Sequence, residues 1–356
     1  MMQRYRIAVI PGDGIGQEVV PAGVEVLQAA GERLAAYALD LVWFDWGCDY
    51  YLRHGRMMPA DGLEILRDFD AIYFGACGFP TVPDHISLGG LRLAICQGFD
   101  QYVCLRPARL LAGVASPLAG KRPGDIDIVV VRENTEGLYA GAGGRTHRGL
   151  PIEVATQIQV FTRVGVERII RYAFDLARRR PRRHVTSATK ANACPYTLGL
   201  WDELFAQVAG AYPDVTTDVQ LVDSLAARCV NKPESLDVIV ADNLFGDILS
   251  DITGALVGSL GLAPSANIDP ERRYPSMFEP VHGSAPDIAG RGIANPIAAI
   301  WSGAMMLEFL GQEPAAGAIL RAIEETLREG AVRTPDLGGQ ATTRQMAAAV
   351  LAHLPI

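Results

Sequence analysis

The chain has 356 residues, more than a single hydrophobic core usually serves, so two domains are expected. Hydrophobic residues make up 49% and charged residues 20%, which excludes a disordered chain, and the net charge of −8 argues against general nucleic-acid affinity. Six cysteines (Cys48, Cys77, Cys96, Cys104, Cys194 and Cys229) show no CxxC and no zinc spacing, and read as reduced thiols of a cytoplasmic protein. The opening MMQRYRIAVIPGDGIG has no signal-peptide core, and no apolar run reaches about 18 residues, so neither secretion nor membrane insertion is expected.

Residues 5–10 read as a strand, and PGDGIG at 11–16 as a tight turn opening a helix over 17–36. The dinucleotide spacing GxGxxG fails there, because Gln17 stands where the third glycine would follow Gly12 and Gly14. A strand at 39–44, a helix at 61–68 and a strand at 71–75 continue the alternation, which predicts a parallel α/β sheet. Residues 86–98 (ISLGGLRLAICQG) have a weak helical period broken by Gly89 and Gly90, and lead to a strand closed by Arg106-Pro107. A strand at 127–131 delivers Arg132, Glu133 and Asn134 to its C-terminal end, where open α/β sheets hold ligands. Glycines crowd 137–149 before a strand near 153–161.

A helix with apolar Val166, Ile169, Ile170, Ala173, Phe174 and Ala177 ends in RRRPRR (178–183). That cluster reads as solvated cations complementing a helix C-terminus, in preference to an RNA contact. The strand 184–188 delivers Thr189, Lys190, Ala191 and Asn192; a helix over 196–211 and a strand at 218–221 lead to Val222, Asp223 and Ser224. An apolar strand at 238–240 feeds a helix with Leu244, Ile248, Ile252 and Ala255 on one side and Asp242 and Asn243 as capping residues. Asp247 and Asp251 project from one face of it, one turn apart. They are either two solvated carboxylates or part of a site for a hard divalent cation. Beyond 257 a Pro-rich passage precedes helices near 296–310, 315–329 and 341–352, expected to cover the N-terminal sheet and make that domain discontinuous.

Sorted by strand ends, the polar residues form a basic group (Arg106, Arg132, Lys190), an acidic group (Asp223, Asp247, Asp251) and one phenol, Tyr139. Carboxylates for Mg²⁺ or Mn²⁺ beside arginines that clamp carboxylates suit an anionic hydroxy acid.

GDGIG (12–16), LRP (105–107), VRENTEGLY (131–139), TK (189–190), VD (222–223), NLFGDILSD (243–251) and FEPVHGSAPDIAG (278–290) resemble the β-decarboxylating dehydrogenases, the isocitrate and 3-isopropylmalate dehydrogenase family. The resemblance spans nearly the whole chain, and VPDHIS, GFDQYV, ATKAN and PSANIDPERRYPSMFEPVHG are most similar to its tartrate/D-malate branch. It implies a two-domain isocitrate/isopropylmalate dehydrogenase-like α/β fold, with parallel or mixed sheets flanked by helices and not a usual Rossmann fold. Residues 1–101 plus 258–356 would form the cofactor-binding domain, and 102–257 the central substrate, metal and dimerisation domain.

Carried onto this sequence, the resemblance implies an NAD- and metal-dependent oxidation or oxidative decarboxylation of a 2-hydroxy dicarboxylate such as D-malate or tartrate. Asp247 and Asp251 would bind Mg²⁺ or Mn²⁺ with Asp223 of a second subunit. Lys190, also from that subunit, would deprotonate the 2-hydroxyl, and Tyr139 would protonate carbon after CO₂ leaves. Arg106 and Arg132 would hold substrate carboxylates. NAD would lie along His282, Gly283, Ser284, Ala285, Pro286, Asp287 and Asn295, with Asn192 also in contact; the Asp287 carboxylate would repel a 2′-phosphate, so NAD is expected over NADP. Shared sites require a homodimer; no nucleic acid or membrane partner is implied.

Two positions depart from the family pattern. Cys96 stands where a further substrate arginine is usual, and Arg92, one turn earlier, is expected to reach into that space. Gly89 stands where related sequences carry a bulky or acidic residue. Both changes fall in the segment that shapes the pocket for the C3 substituent, so 3-isopropylmalate dehydrogenase and a catalytically silent regulatory subunit remain as alternatives.

Overall fold

The structure is a computed structural model and describes residues 2–355. In chain order it contains β1 (Gln3–Gly12), α1 (Gly16–Arg33), β2 (Tyr37–Trp43), α2 (Cys48–His54), α3 (Gly62–Leu66), β3 (Ala71–Ala76), α4 (Asp84–Ser87), a π-helical turn (Leu88–Arg92), α5 (Leu93–Gly98) and β4 (Val103–Arg109). Then follow β5 (Asp127–Glu133), β6 (Gly143–Thr146), β7 (Val154–Gln157), α6 (Arg163–Arg178), β8 (His184–Thr189), α7 (Thr197–Ala209), β9 (Thr216–Leu221), α8 (Val222–Asn231), β10 (Val238–Ala241) and α9 (Asn243–Leu256). The chain closes with β11 (Pro264–Ile268), β12 (Ser276–Pro280), α10 (Ile297–Phe309), α11 (Glu313–Glu329) and α12 (Thr343–Ala352).

Two compact units result: Met1–Gln101, Arg106–Ile126 and Gly254–Ile356 form the first, and Tyr102–Leu105 with Asp127–Thr253 the second. Residues 106–126, placed by the sequence reading in the central domain, instead join the chain ends. Leu110 donates its amide to Ile126 O (2.9 Å), Ser116 Oγ donates to Leu256 O (2.7 Å), and Gly113 O accepts from Arg333 Nη2 (2.9 Å).

In the first unit the strand order is β2-β1-β3-β12-β11, parallel except for the antiparallel β11–β12 pair. The interior strands are apolar runs buried on both faces, as parallel strands under helices must be: Ile7 to Ile10 and Ala71 to Phe74 have no exposed surface. The run IAAIWSGAMMLEF has no polar face, so α10 is buried all round, against α1, α11, β11 and β12. The sequence reading missed β11 and β12. Their prolines, Pro264 and Pro280, stand at the strand ends, where no ladder bond is lost, and disguised the strands as a loop. It also missed α2. Residues 84–98 are helical throughout, Gly89 and Gly90 being absorbed by the π turn instead of breaking the helix.

The second unit is parallel, in the order β5-β10-β8-β9, with α6 laying its predicted apolar stripe against β5, β10 and α7. Thr162 caps α6 by accepting from Gly165 N (3.0 Å). The arginine cluster after α6 is not simply solvated. Arg180 pairs with the buried Asp237 (2.5 Å) and with Asp127 (3.0 Å), Arg178 pairs with Asp214 (2.7 Å), and Arg182 donates to Glu234 O (2.8 Å). These bonds tie α6 to the feet of β5 and β10. Glycines 143 and 144 enter a separate antiparallel hairpin, β6–β7, whose Leu150, Ile152, Val154 and Ile158 are exposed.

Candidate active site

In the second unit β5 is longer than expected and carries Arg132 and Glu133 within the strand. Parallel pairing sets Ala241, the end of β10, beside Arg132, and the chain turns there into α9. Asp242 caps that helix, its Oδ1 accepting from Phe245 N (2.7 Å) while Oδ2 accepts from Gln159 Nε2 (3.0 Å). Burial pushes its carboxyl up to about 6 against the pull of these donors and of Arg132.

Asn243, read from the sequence as a second capping residue, has another task. Its Oδ1 accepts from both Nε (3.0 Å) and Nη2 (2.7 Å) of Arg132, and its Nδ2 donates to Glu136 O (3.1 Å). The remaining edge of the guanidinium donates from Nη1 to Asp247 Oδ1, and Tyr139 OH donates to Asp247 Oδ2 (2.9 Å). The Arg132 guanidinium carbon stands 5.3 Å from the centre of the Tyr139 ring. Three predicted residues, Arg132, Tyr139 and Asp247, are thus brought together. Asp251 stands exposed one turn further along α9, and Ile248 between them is half-exposed.

Lys190 and Asp223 form a second group in the same unit. Lys190 follows β8, and Asp223 lies in the first turn of α8, which begins directly after β9. Lys190 Nζ donates to Asp223 Oδ1, and this bond holds the Asp223 carboxyl below the usual range. Among the described residues no three His, Cys, Asp or Glu side chains gather to hold a metal ion, so within one chain Asp223 does not complete a set with Asp247 and Asp251. Asn192 is exposed in the loop after Lys190.

In the first unit β12 leads into residues 282–287. Ser284 O accepts from Ile15 N (2.8 Å), so the GDGIG turn braces this loop with its backbone. Ser284 is buried, while Gly283, Pro286 and Asp287 are exposed and Ala285 adopts a left-handed φ of 40°. His282 Nδ1 lies 3.0 Å from Gly283 O; its Nε2 is buried without a hydrogen-bond partner among the described residues, and burial holds the ring's proton affinity below normal. Asn295 receives a different setting from the one expected: its Nδ2 donates to Asp336 (3.0 Å) and its Oδ1 accepts from Ile297 N (3.1 Å) at the start of α10.

Arg106 is buried on β4 and belongs to the first unit. Cys96 is buried in an apolar cluster with Leu91, Ile95 and Phe99. Arg92 was expected to reach into the space beside Cys96. It is buried, donating from Nε to Glu279 Oε1 (2.8 Å) and from Nη2 to Asn267 Oδ1 (3.2 Å). A side chain at Gly89 would meet no atom within 4 Å. Of the supporting residues, Asn243 was expected only as a helix cap, Glu279 lies inside a quoted motif without being singled out, and Gln159 carried no signal.

A mixed-sheet unit and a parallel-sheet unit, both flanked by helices and carrying polar residues at strand ends, make this an α/β protein. Residues 6–350 match the isocitrate/isopropylmalate dehydrogenase family. The chain is 58% identical over 349 residues to a probable tartrate dehydrogenase/decarboxylase of Agrobacterium vitis, covering 98% of this chain and 96% of that protein. It is 57% identical over 357 residues to the D-malate dehydrogenase (decarboxylating) of Escherichia coli strain K12, covering 98% of each. Among solved structures, isocitrate dehydrogenase from Methylococcus capsulatus matches with a TM-score of 0.90 at 39% identity, over 99% of this chain and 100% of that one. The chain belongs to the isocitrate/isopropylmalate dehydrogenase family, and it is an oxidoreductase.

Proposed function

We propose that this enzyme oxidises a 2-hydroxy dicarboxylate of the D-malate or tartrate type, with NAD⁺ as hydride acceptor, a bound Mg²⁺ or Mn²⁺, and loss of the β-carboxyl as CO₂. The observation that carries the reading is Asp247, whose two oxygens are held separately by Arg132 and Tyr139. A carboxylate, a cation and a phenol in one cluster are what an anionic substrate under metal and acid catalysis needs. Relatives named for tartrate and D-malate support the substrate class.

Asp247 and Asp251 are hard oxygen donors one turn apart and fit a divalent cation once a third carboxylate arrives from outside the chain. Asp223 of a second copy would supply it, bringing Lys190 with it. Apolar residues exposed on the β6–β7 hairpin, together with Ile248 on α9, support such a dimer. His282, with its buried and unpartnered Nε2, and the exposed Asp287 fit a polar nucleotide along 282–287. The metal would supply Lewis-acid charge at the substrate oxygens, and NAD⁺ would take the hydride from C2.

Arg106 and Arg132 would orient the carboxylates. Lys190 would take the hydroxyl proton as hydride leaves C2; the bond to the β-carboxyl then breaks, and Tyr139 would return a proton to C3. A silent regulatory subunit leaves the costly burial of Arg132 beside Asp247 without a purpose. No helix among the described residues is long and apolar enough to cross a membrane, and a cytoplasmic enzyme is the reading we favour.

A panel of D-malate, L- and meso-tartrate, 3-isopropylmalate and isocitrate with NAD⁺ and Mn²⁺, followed as NADH, tests this. Turnover of D-malate or a tartrate that chelator abolishes is expected; turnover of 3-isopropylmalate alone would move the enzyme to that substrate, and silence on all five would overturn the proposal.

A further inference from the structure

Arg92 and Glu279 form an ion pair with both side chains at least nine-tenths buried. Buried charges persist only when each is matched. Here the match is a closed triangle: Arg92 Nε donates to Glu279 Oε1 (2.8 Å), Asn267 Nδ2 donates to the same oxygen (2.7 Å), and Arg92 Nη2 donates to Asn267 Oδ1 (3.2 Å). The triangle joins the π turn at 88–92 to β11 and β12. Glu279 is the penultimate residue of β12, three positions before His282, and its backbone is fixed as well: its carbonyl accepts from Ser302 Oγ (2.8 Å) on α10, and the following Val281 N bonds to Ala263 O (2.9 Å). What happens at Glu279 is therefore passed directly to the start of the 282–287 loop.

We propose that Arg92 is a positioning residue for the nucleotide loop, acting through Glu279, and not a ligand of the substrate. The inference rests on the reading of 282–287 as the NAD loop. Without the guanidinium, Glu279 keeps a buried negative charge that only an amide answers. It must then take up a proton or turn toward water, and either change moves the strand end from which His282 and Ser284 are hung.

The test compares wild type, Arg92→Met, Arg92→Lys and Arg92→Met/Glu279→Gln. NADH affinity is measured by fluorescence titration without substrate, and KM for the turned-over hydroxy acid is measured at saturating NAD⁺. Arg92→Met is expected to weaken NADH binding at least fivefold while the hydroxy-acid KM stays within twofold. The double variant, which removes both charges, is expected to recover most of the loss, and Arg92→Lys to lie between. If Arg92→Met does not fold, the lysine and double variants carry the comparison. A raised hydroxy-acid KM with unchanged NADH affinity would make Arg92 a substrate ligand and overturn the proposal, as would a pair whose loss moves neither quantity. Failure of the wild type itself to bind NADH would instead remove the nucleotide reading beneath it.

Discussion

Arg132 and Asn243 meet through a fork, with Nε (3.0 Å) and Nη2 (2.7 Å) of the guanidinium both donating to one amide oxygen. Asn243 in turn is pinned to Glu136 O (3.1 Å), so the arginine is aimed from behind while its far edge stays on Asp247. Hydrogen bonds to a charged partner contribute about 1.5–3 kcal/mol. Asn243→Ala should therefore lower kcat/KM for the dicarboxylate by roughly 10- to 100-fold and leave NADH affinity unchanged. An unaltered kcat/KM would show that Arg132 is aimed without it.

Gly246 offers a test in which the usual sign is reversed. Glycine to alanine inside a helix normally gains close to 1 kcal/mol. In α9 a Cβ at position 246 would lie 2.6 Å from both Cβ and Cγ of Arg132. Gly246→Ala should then destabilise by about 1–3 kcal/mol and impair turnover, because either α9 or Arg132 must move. Gly199 in α7 is the control: a Cβ there meets nothing within 4 Å, and Gly199→Ala should be neutral or stabilising in the same denaturation series.

The GDGIG turn predicts a cofactor defect from a residue that need not touch cofactor. Gly14 has φ +56°, and a Cβ on it would stand 2.0 Å from Ser284 O, the atom that accepts from Ile15 N. Gly14→Ala should displace the 282–287 loop and weaken NADH binding tenfold or so, on the order of 1.4 kcal/mol, with the dicarboxylate KM at saturating NAD⁺ little changed. Wild-type NADH affinity in the variant would separate the turn from the loop.

Glu133 should give stability an acid-side slope. Burial pushes its carboxyl up to about 7, opposed by donors from Thr135 and the Glu136 amide and aided by the Glu136 charge. A raised pKa means that the folded chain binds the proton more tightly than the unfolded one, so this group's contribution falls as pH rises from its ordinary value toward 7 and is flat above. The change amounts to a few kcal/mol at about 1.4 kcal/mol per pKa unit. Urea denaturation of wild type and Glu133→Gln at pH 5, 6, 7 and 8 should show a difference in stability that changes between 5 and 7 and levels off. A constant difference would mean that Glu133 is ionised throughout.

The alternation of strands and helices was readable because buried parallel strands are plain apolar runs, and α6 and α9 announce their faces by spacing. Reading failed where a local rule met tertiary context. Pro264 and Pro280 sit harmlessly at strand ends, Gly89 and Gly90 lie in a helix that a π turn keeps going, and the arginines after α6 find Asp237 and Asp127 on elements far away in sequence. In the candidate site, residue types at strand ends identified Arg132, Tyr139, Lys190, Asp223 and Asp247 as charged or polar side chains to watch. Their partners could not be read in the same way. Whether Arg92 meets Glu279 depends on a partner 187 positions along the chain, and no local period encodes such a pairing.

The π turn at Leu88–Arg92, closed by the bond from Leu93 N to Leu88 O, holds one residue more than an α turn would. The wide turn takes up that residue locally, so the helical turns on either side of it stay in phase. Deleting a single glycine here would let the turn close to ordinary α geometry, with Arg92 and the apolar residues of α5 left on their faces. A deletion within α5, where no wide turn absorbs it, would instead rotate every later side chain of the helix by about 100°.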